Sequence, residues 1–226
     1  MKFSAALDLS GDEVCLALAR EDGEFLLNIN QPMHGRDSAN LAKFVNSQLQ
    51  AAQVDLADIT HWTVGTGPGS FTGMRLAAAL VGGLTFGNGT VKKRGVPGAL
   101  ALAGTLFDAA VTEKAALLFD GRNKELLVYE VSSYNGEFVP GGFAEALDGE
   151  ALNRYFAANP TIKLGALAKD MTALEKLLTP EIFPRVTAAE HLDAGRLLRL
   201  KQEPFDNDLT KLVYIRPAVF PKKNAE

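Results

Sequence analysis

The feature of this sequence that most constrains its fold is an order of predicted elements that occurs twice. Each half reads strand, strand, strand, helix, strand, helix, strand, helix. Apolar runs bounded by turn residues predict the strands, and apolar residues at helical spacing predict the helices. The predicted strands cover 3–9, 14–20, 25–30, 61–66, 90–96, 115–119, 125–131, 137–143, 161–167 and 183–186. The predicted helices cover 38–53, 70–86, 98–110, 150–158, 168–178 and 188–200, and an extended segment is predicted at 212–216.

The repeated order predicts an α/β protein made of two similar lobes. In each lobe, three antiparallel strands followed by parallel crossover strands form a mixed sheet with flanking helices. We place the lobes at 1–104 and 105–226, and we expect the C-terminal tail to pack back on the body. The pattern resembles the ribonuclease-H-like lobe of the actin and sugar-kinase (ASKHA) superfamily, in which two such lobes usually clamp a nucleotide.

Charge and composition exclude several classes of protein. The 226 residues include 23 Lys and Arg against 27 Asp and Glu, a formal net charge of −4. This balance argues against a protein that binds nucleic acid or a membrane surface by itself, since such a protein carries a basic field. The single cysteine, Cys15, excludes an internal disulfide and a cysteine-based zinc cluster. No apolar run approaches the ~18 residues of a membrane-spanning helix, so we expect a cytoplasmic protein without membrane contact.

The segment from Gly67 to Arg75 reads G-P-G-S-F-T-G-M-R and is the most unusual in the chain. Its glycines permit positive φ angles and close approach of the backbone, and Ser70 can cap the following helix. Free amides and the positive end of a helix dipole can bind an anion at such a place. The segment lacks the Gly-Lys-Ser/Thr of a P-loop and misses a dinucleotide fingerprint by one residue. Two interpretations stay open: an anion site, and a tight strand-to-helix turn packed against a neighbour.

The first hairpin turn, from Asp8 to Glu13, is a second candidate site. In the actin superfamily an Asp at this turn lies beside the bound phosphates. Here Asp12 and Glu13 add two carboxylates, which repel the phosphates of a nucleotide. A solvated hairpin is therefore the favoured interpretation of residues 10–13.

The other reactive side chains give weak signals. His34, His61 and His191 lie in separate elements, and none has a second histidine or a cysteine three or four residues away. We interpret each as a surface or capping residue, and Cys15 as a small buried apolar residue. The triplet Lys92–Arg94 is interpreted as the polar end of a strand. These residues predict no metal site.

The glycine-rich segment also carries a family resemblance, because the TsaB (YeaZ) family reads G-P-G-S-F-T-G-[VM]-R at this point. Residues 6–8 resemble the family's opening A-L-D-T strand, and residues 36–41 resemble an R-x-H-S-x-x-L helix start in which Asp37 stands where histidine is common. Residues 119–122 resemble a D-A-R turn with Gly121 for alanine, and residues 213–216 resemble a C-terminal P-x-Y-L-R signature. The matching residues are Asp8, Gly67, Pro68, Gly69, Ser70, Phe71, Thr72, Gly73, Arg75, Asp120, Arg122, Tyr214 and Arg216.

The resemblance implies a non-catalytic interaction subunit. Its implied partners are a TsaD-like catalytic subunit and a TsaE-like ATPase, which together transfer a threonylcarbamoyl group to the adenosine beside the anticodon in tRNAs reading codons that begin with A. It also implies that tRNA and any nucleotide are bound only within this complex and that the chain needs no cofactor. The predicted helix at 70–86 is small and apolar nearly all round, so we expect the chain alone to form a homodimer that covers this surface. The implied partner-binding residues are Leu41, Phe44, Val45, Ser70, Phe71, Met74, Arg75, Ala78, Val81 and Gly82.

The catalytic relative TsaD has the same fold and carries an H-x-x-x-H metal pair after the fifth strand of its first lobe. By element order that place holds Gly98 and Leu102, which have no ligand atoms for such a chelate.

Two alternatives stay open. One is an ATP-dependent phosphotransferase or ATPase of the ASKHA fold, with Asp120–Arg122 as a second phosphate loop. The other is an NADP-binding protein that uses Gly67–Gly73, with Lys92–Arg94 on the ribose phosphate; Pro68 and the three-strand opening count against it.

Overall fold

The computed structural model describes residues 1–33, 35–201 and 203–216, and the predicted succession of elements occurs in it twice. The strands are β1 (Phe3–Asp8), β2 (Glu13–Arg20), β3 (Phe25–Pro32), β4 (Ile59–Gly65), β5 (Lys92–Val96), β6 (Lys114–Asp120), β7 (Glu125–Tyr134), β8 (Glu137–Asp148), β9 (Lys163–Leu167) and β10 (Val186–Ala189). The helices are α1 (Leu41–Ala51), α2 (Phe71–Leu84), α3 (Gly98–Leu106), α4 (Gly149–Ala158), α5 (Met171–Leu177) and α6 (Ala194–Arg199).

The strands form two five-stranded sheets of the same topology. The first has the order β3-β2-β1-β4-β5, and the second has the corresponding order β8-β7-β6-β9-β10. In each sheet the first three strands pair antiparallel and the last two join in parallel. This is the ribonuclease-H-like arrangement, so the predicted α/β fold of two mixed-sheet lobes is confirmed.

The two sheets and their helices stack in alternating layers. On β1, Ala5 and Leu7 face a core shared with α1 and α2, whereas Ala6 faces the core between the sheets, as the period of two in a strand requires. Helices α4 and α5 cover the outer face of the second sheet. Helix α6 packs on β1 and β2, and α3 packs on the strands of the second sheet. Each half therefore contributes a helix to the other, and the lobe boundary that we placed at residue 104 falls inside α3.

Some boundaries differ from the predictions for local reasons. The first helix begins at Leu41 because residues 35–40 form a 3₁₀ turn, in which the Ser38 hydroxyl donates to the carbonyl of Gly35. A 3₁₀ turn also occupies residues 183–185, and the strand predicted there begins at Val186. Because residues 186–189 pair with β9, the last helix begins at Ala194 instead of residue 188.

The C-terminal tail runs back across both lobes. The Asn207 amide donates to the carbonyl of Lys93, and the Val213 amide donates to the carbonyl of Thr66. Residues 212–216, predicted to be extended, form no strand within the described part of the tail. His34 and the residues from 217 onward lie outside the described residues, as does the side chain of Arg36. Within the part of the chain that the structure covers, no helix has both the length and the apolar character needed to cross a membrane.

Candidate functional site

The glycine-rich segment joins β4 to α2 and packs against the first hairpin turn. The Ser70 amide donates to the carbonyl of Ser10 at 2.6 Å, and the Ser70 hydroxyl accepts from the Gly73 amide at 3.2 Å, which confirms the predicted helix cap. A side chain at Gly69 would place its Cβ 2.1 Å from the Ser10 carbonyl oxygen, and one at Gly73 would come within 1.7 Å of the Leu9 carbonyl oxygen. The amides of Ser70 and Gly73 are therefore hydrogen-bonded within the chain. This agrees with the interpretation of the segment as a tight turn packed against a neighbour.

The residues that the resemblance assigns to partner binding divide between two faces of their helices. Leu41, Phe44, Val45, Met74 and Val81 are each at most 7% exposed. Four of them belong to the core between α1, α2 and the first sheet. A side chain enclosed by its own lobe cannot touch a partner, so these five are withdrawn as contact residues and are assigned to positioning the helices.

The outward face of α2 carries the contacts that remain available. Exposed residues follow one another at spacings of three and four along α2 and into the turn after it: Thr72, Arg75, Ala79 and Gly83 in the helix, and Phe86 in the turn. Phe86 is 89% exposed, and a Cβ added at Gly82 or Gly83 would meet nothing within 4 Å. Ala78 is half-buried and packs against the core. The list of implied partner-binding residues lacks Ala79, Gly83 and Phe86, although a spacing of three and four from Arg75 points to them.

The outward face of α1 differs from that of α2 in its chemistry. Its exposed residues are mostly polar: Ala42, Lys43, Asn46, Ser47, Gln50 and Ala51. The apolar stripe at 41, 44, 45 and 49 faces inward. The two helices therefore offer a polar surface beside one of small residues and one aromatic ring.

The tail brings the separate family motifs together. The Tyr214 ring stacks on Phe71, with centroids 4.9 Å apart and planes at 8°, and its hydroxyl accepts from Arg75 Nε at 2.9 Å. Arg216 Nη1 donates to the carbonyl of Gly121 at 2.7 Å, and the same guanidinium forms an ion pair with Glu125. The segments 67–75, 120–122 and 213–216 thus meet at one place, although the sequence separates them by up to 149 positions.

This meeting place is the mouth of a cleft of about 760 Å³ between the lobes. Carboxyl groups from both lobes line it: Asp8, Asp12, Glu13, Asp120, Asp170 and Glu190. The basic groups that line it are Arg122, Lys169, His191 and Arg216. Acidic groups outnumber basic ones, and the acidity predicted for the first turn therefore extends across the cleft.

Two of the carboxyl groups are buried. Asp8 is 1% exposed, and its Oδ1 accepts from the amide and the hydroxyl of Ser10, each at 2.8 Å. Burial raises the pKa of Asp8, while the Ser10 hydrogen bonds and the charge of Lys169 lower it. Asp170 is 5% exposed, and burial raises its pKa to about 6. The second oxygen of each carboxyl has no hydrogen-bond partner among the described residues.

Two cleft contacts join residues that are far apart in the sequence. Lys169 Nζ lies 3.8 Å from a carboxylate oxygen of both Asp12 and Asp170. His191 Nδ1 lies 2.8 Å from Oε2 of Glu13 and so links the second half of the chain to the first hairpin. Sequence reasoning missed Lys169, Asp170 and His191 as cleft residues, although Lys169 and Asp170 follow closely after the carboxyl end of a parallel strand, where ligand sites commonly form.

Other candidate residues have internal roles. Cys15 is 3% exposed, as predicted, and burial and the charge of Asp8 raise the pKa of its thiol. Arg94 is 3% exposed instead of lying at a polar strand end, and it donates to Thr63 and to the carbonyls of Leu197, Leu198 and Glu203. Across the ranges described, no group of three or more His, Cys, Asp or Glu residues is arranged to hold a metal ion.

The paired ribonuclease-H-like lobes with a cleft between them define an ASKHA-type protein. The sequence profile of the family described as "TsaD: tRNA N6-adenosine threonylcarbamoyltransferase" matches residues 34–179, more than half of the chain. The chain belongs to this family.

Solved structures share the fold. One is described as an uncharacterized protein with similarity to peptidase YEAZ from Pseudomonas aeruginosa; it is 23% identical, with a TM-score of 0.71 over 96% of this chain and 100% of that one. YeaZ from Pseudomonas aeruginosa is 24% identical, with a TM-score of 0.68 over 88% of this chain and 89% of that one. A search among curated proteins gives no significant match.

Proposed function

We propose that this chain is a non-catalytic subunit that supports tRNA threonylcarbamoylation by docking on a TsaD-like catalytic subunit. Membership of the TsaD family supports a role in this modification, and the fold is that of YeaZ. The observation that carries the proposal is the outward face of α2, where small residues lie beside an exposed phenylalanine. A TsaE-like ATPase completes the complex, which acts on the adenosine beside the anticodon of tRNAs reading codons that begin with A.

The outward face of α2 suits a helix of a second protein. Ala79, Gly82 and Gly83 let another backbone approach closely, because none of them carries a side chain larger than a methyl group. Phe86 is 89% exposed, and burying such a ring contributes about 2–3 kcal/mol. A catalytic subunit of the same fold presents a matching helix pair. In its absence a second copy of this chain covers the face in a symmetric dimer.

The non-catalytic assignment rests on the residues at the metal-pair position of the catalytic relative. Gly98 lines the cleft but has no side chain, and Leu102 is fully buried. Neither residue can donate to a metal. The acidic cleft also repels free nucleotide, which supports nucleotide binding only in the assembled complex.

The two alternatives fit the site less well. A cleft of about 760 Å³ between ASKHA-type lobes has room for a nucleotide, but its excess of carboxyl groups opposes phosphate binding. NADP binding requires Arg94 to be available to a ribose phosphate, and its guanidinium is engaged by Thr63 and backbone carbonyls.

A matched pair of variants tests the docking surface. Ala79 in α2 and Ala157 in α4 are both exposed helical alanines, one in each lobe. We expect Ala79→Arg to reduce copurification with a TsaD-like partner at least about tenfold, because the long cation separates the helices and leaves a charge in an apolar contact. Ala157→Arg should bind normally. Equal partner binding by the two folded variants would withdraw the assignment of α2.

Self-association gives a second readout of the same face. Gly82→Arg also points outward and should convert a dimer of the isolated chain to monomer in sedimentation experiments. Ala78→Arg differs because Ala78 packs against the core, so this variant is expected to lose stability first. A wild-type chain that is monomeric at micromolar concentration would contradict the dimer.

A further inference from the structure

The docking role proposed above leaves the inter-lobe cleft without a ligand. Its floor contains the buried carboxyl groups of Asp8 and Asp170, each with one oxygen that lacks a hydrogen-bond partner among the described residues. Asp8 Oδ2 lies against Gly65 and Gly98, and Gly98 belongs to the cleft wall. Buried polar atoms normally have a partner, and an unpaired one costs about 1–3 kcal/mol. Two such atoms in one cleft therefore indicate a missing donor.

The charges around these atoms identify the kind of donor. Carboxyl groups from both lobes converge on the cleft, and the nearest cation, Lys169, lies 3.8 Å from Asp12 and Asp170. Of the other basic groups that line the cleft, His191 lies against Glu13, Arg216 pairs with Glu125, and Arg122 follows the end of β6. The carboxyl groups still outnumber the basic groups by six to four. An incoming positive charge therefore gains favourable interactions here, whereas a phosphate is repelled.

We propose that this cleft binds a small organic cation, a primary ammonium group carried on a short apolar chain. The ammonium offers three donors and satisfies the unpaired carboxyl oxygens of Asp8 and Asp170 through charge-assisted hydrogen bonds. The apolar chain lies against the wall formed by Phe119, Leu127, Leu167, Leu192 and Ile215. This apolar wall distinguishes the site from that of a hydrated divalent metal, which prefers oxygen ligands on all sides. The inference does not depend on the docking role of α2.

Binding is linked to proton release. Burial keeps part of Asp170 protonated near pH 6, and the groups that face it are Asp12, Asp120 and Lys169. The nearby carboxylates Asp12 and Asp120 raise its pKa further, while Lys169 and a hydrogen bond from the Asp120 backbone lower it. A bound ammonium favours the ionised carboxylate, so the proton leaves Asp170 when the ligand enters. Affinity then falls about tenfold from pH 7.5 to pH 5, since one proton competes for a group with a pKa of about 6.

Isothermal titration of the full chain with 1,4-diaminobutane at constant ionic strength tests the proposal. Butane-1,4-diol and succinate are the matched neutral and anionic probes. Asp8→Asn and Asp170→Asn should each weaken diamine binding at least about tenfold, because the charge-assisted bonds are lost. Asp55→Asn is the control, since Asp55 is exposed, caps no helix with its side chain and lies outside the cleft.

Diamine binding that exceeds diol and succinate binding, weakens at pH 5 and is lost in the two cleft variants establishes the site. Binding that is the same for diamine and diol, or unchanged by both substitutions, overturns it. Tighter binding of magnesium ion alone, or of ATP with magnesium, also overturns it in favour of a metal or nucleotide site. If the variants fail to fold, the pH dependence of wild-type binding decides, because pH-independent affinity contradicts a role for Asp170.

Discussion

Two turns at equivalent places in the two lobes face the same cleft and are fixed in different ways. The backbone of the turn between β1 and β2 packs within its own lobe, where the Ser70 amide donates to the carbonyl of Ser10, and its side chains meet the second half of the chain through His191 and Lys169. The turn between β6 and β7 has local hydrogen bonds between Gly121 and Glu125 and between Arg122 and Glu125, and the tail adds the hydrogen bond from Arg216 to Gly121 and the ion pair with Glu125.

The second turn needs its external support because its backbone is strained. Three consecutive non-glycine residues, 122–124, have φ angles of 57°, 49° and 62°. Such left-handed conformations cost on the order of 1 kcal/mol each and persist only where the surroundings fix them. One topology can therefore hold the same turn by glycine-dependent backbone contact or by a distant guanidinium. The first turn should be sensitive to a side chain added at Gly69 or Gly73, and the second turn should also be sensitive to the loss of the Arg216 charge.

The largest effect on stability should come from adding a methyl group at Gly73, whose backbone lies against the first turn. Gly73→Ala places a Cβ 1.7 Å from the Leu9 carbonyl oxygen, so the backbone must shift. We expect a loss of about 3–5 kcal/mol in the free energy of unfolding, measured in urea. Gly83→Ala, in the same helix and facing open space, should gain up to about 1 kcal/mol. Equal stabilities for the two variants would show that the backbone contact does not support the turn.

The next effect concerns Asp170, which receives a hydrogen bond from the Asp120 backbone beside the second turn. Its pKa of about 6 in the folded state lies above the ordinary value of 3.8, so between these pH values the native chain holds a proton that the unfolded chain has released. Stability contributed by this group is therefore full below about pH 4 and is lost as pH rises through 6. Asp170→Asn should be more stable than wild type by up to about 3 kcal/mol at pH 7.5.

The control for this prediction is the same measurement of stability made near pH 4. The stability difference between Asp170→Asn and wild type should disappear near pH 4, where both side chains are neutral. Some slope should persist in the variant, because burial raises the pKa of Asp8 in the same direction. A constant difference between pH 4 and pH 7.5 would mean that Asp170 titrates normally.

Removing the second turn's support should have a moderate effect. Arg216→Ala should cost about 1–2 kcal/mol and should speed hydrogen exchange of the backbone amides at residues 121–125. Arg154→Ala, which breaks an exposed pair with Glu150, should change stability by less than about 0.5 kcal/mol. Unchanged exchange at 121–125 in the Arg216 variant would remove the tail from the account of this turn.

The smallest effect should come from the ring that links the tail to α2. Tyr214→Ala loses the stacking on Phe71 and should cost about 1 kcal/mol, because the ring is 41% exposed. Tyr214→Phe keeps the stacking and loses only the hydrogen bond from Arg75, so a change of a few tenths of a kcal/mol is expected. The two variants would lose nearly the same stability in thermal melts if the hydrogen bond were the stronger contact, because Tyr214→Ala removes both contacts.

The comparison also shows which parts of the molecule the sequence could reveal. The backbone contact that supports the first turn can be predicted from a short stretch of sequence, since G-P-G-S-F-T-G has a composition that only a tight backbone approach explains. The strand and helix order was readable for the same reason, because periodicity reports which face of each element is buried. The small residues of α2 can be read from the sequence, but composition alone does not separate Ala78, which packs inward, from Ala79, which is exposed.

The contacts that sequence reasoning missed join residues far apart in the chain. Neither His191 nor Glu13 has a sequence signal for the other, since 178 positions separate them. Arg94 looked like part of an exposed basic triplet because its acceptors, the carbonyls of Leu197 and Leu198, are backbone atoms that any residue would supply. The exchange of α3 and α6 between the lobes likewise depends on packing that no local pattern encodes.

The most direct test of the proposed accessory role is a reconstituted modification reaction. Unmodified tRNA is incubated with threonylcarbamoyl donor and either this chain, a TsaD-like partner with its TsaE-like ATPase, or all three proteins, and N6-threonylcarbamoyladenosine is measured by mass spectrometry. We expect product only when this chain and the partner are both present, because Gly98 and Leu102 offer no metal ligands and our proposal assigns the catalytic group to the TsaD-like partner. Modified nucleoside formed by this chain alone would contradict the non-catalytic assignment.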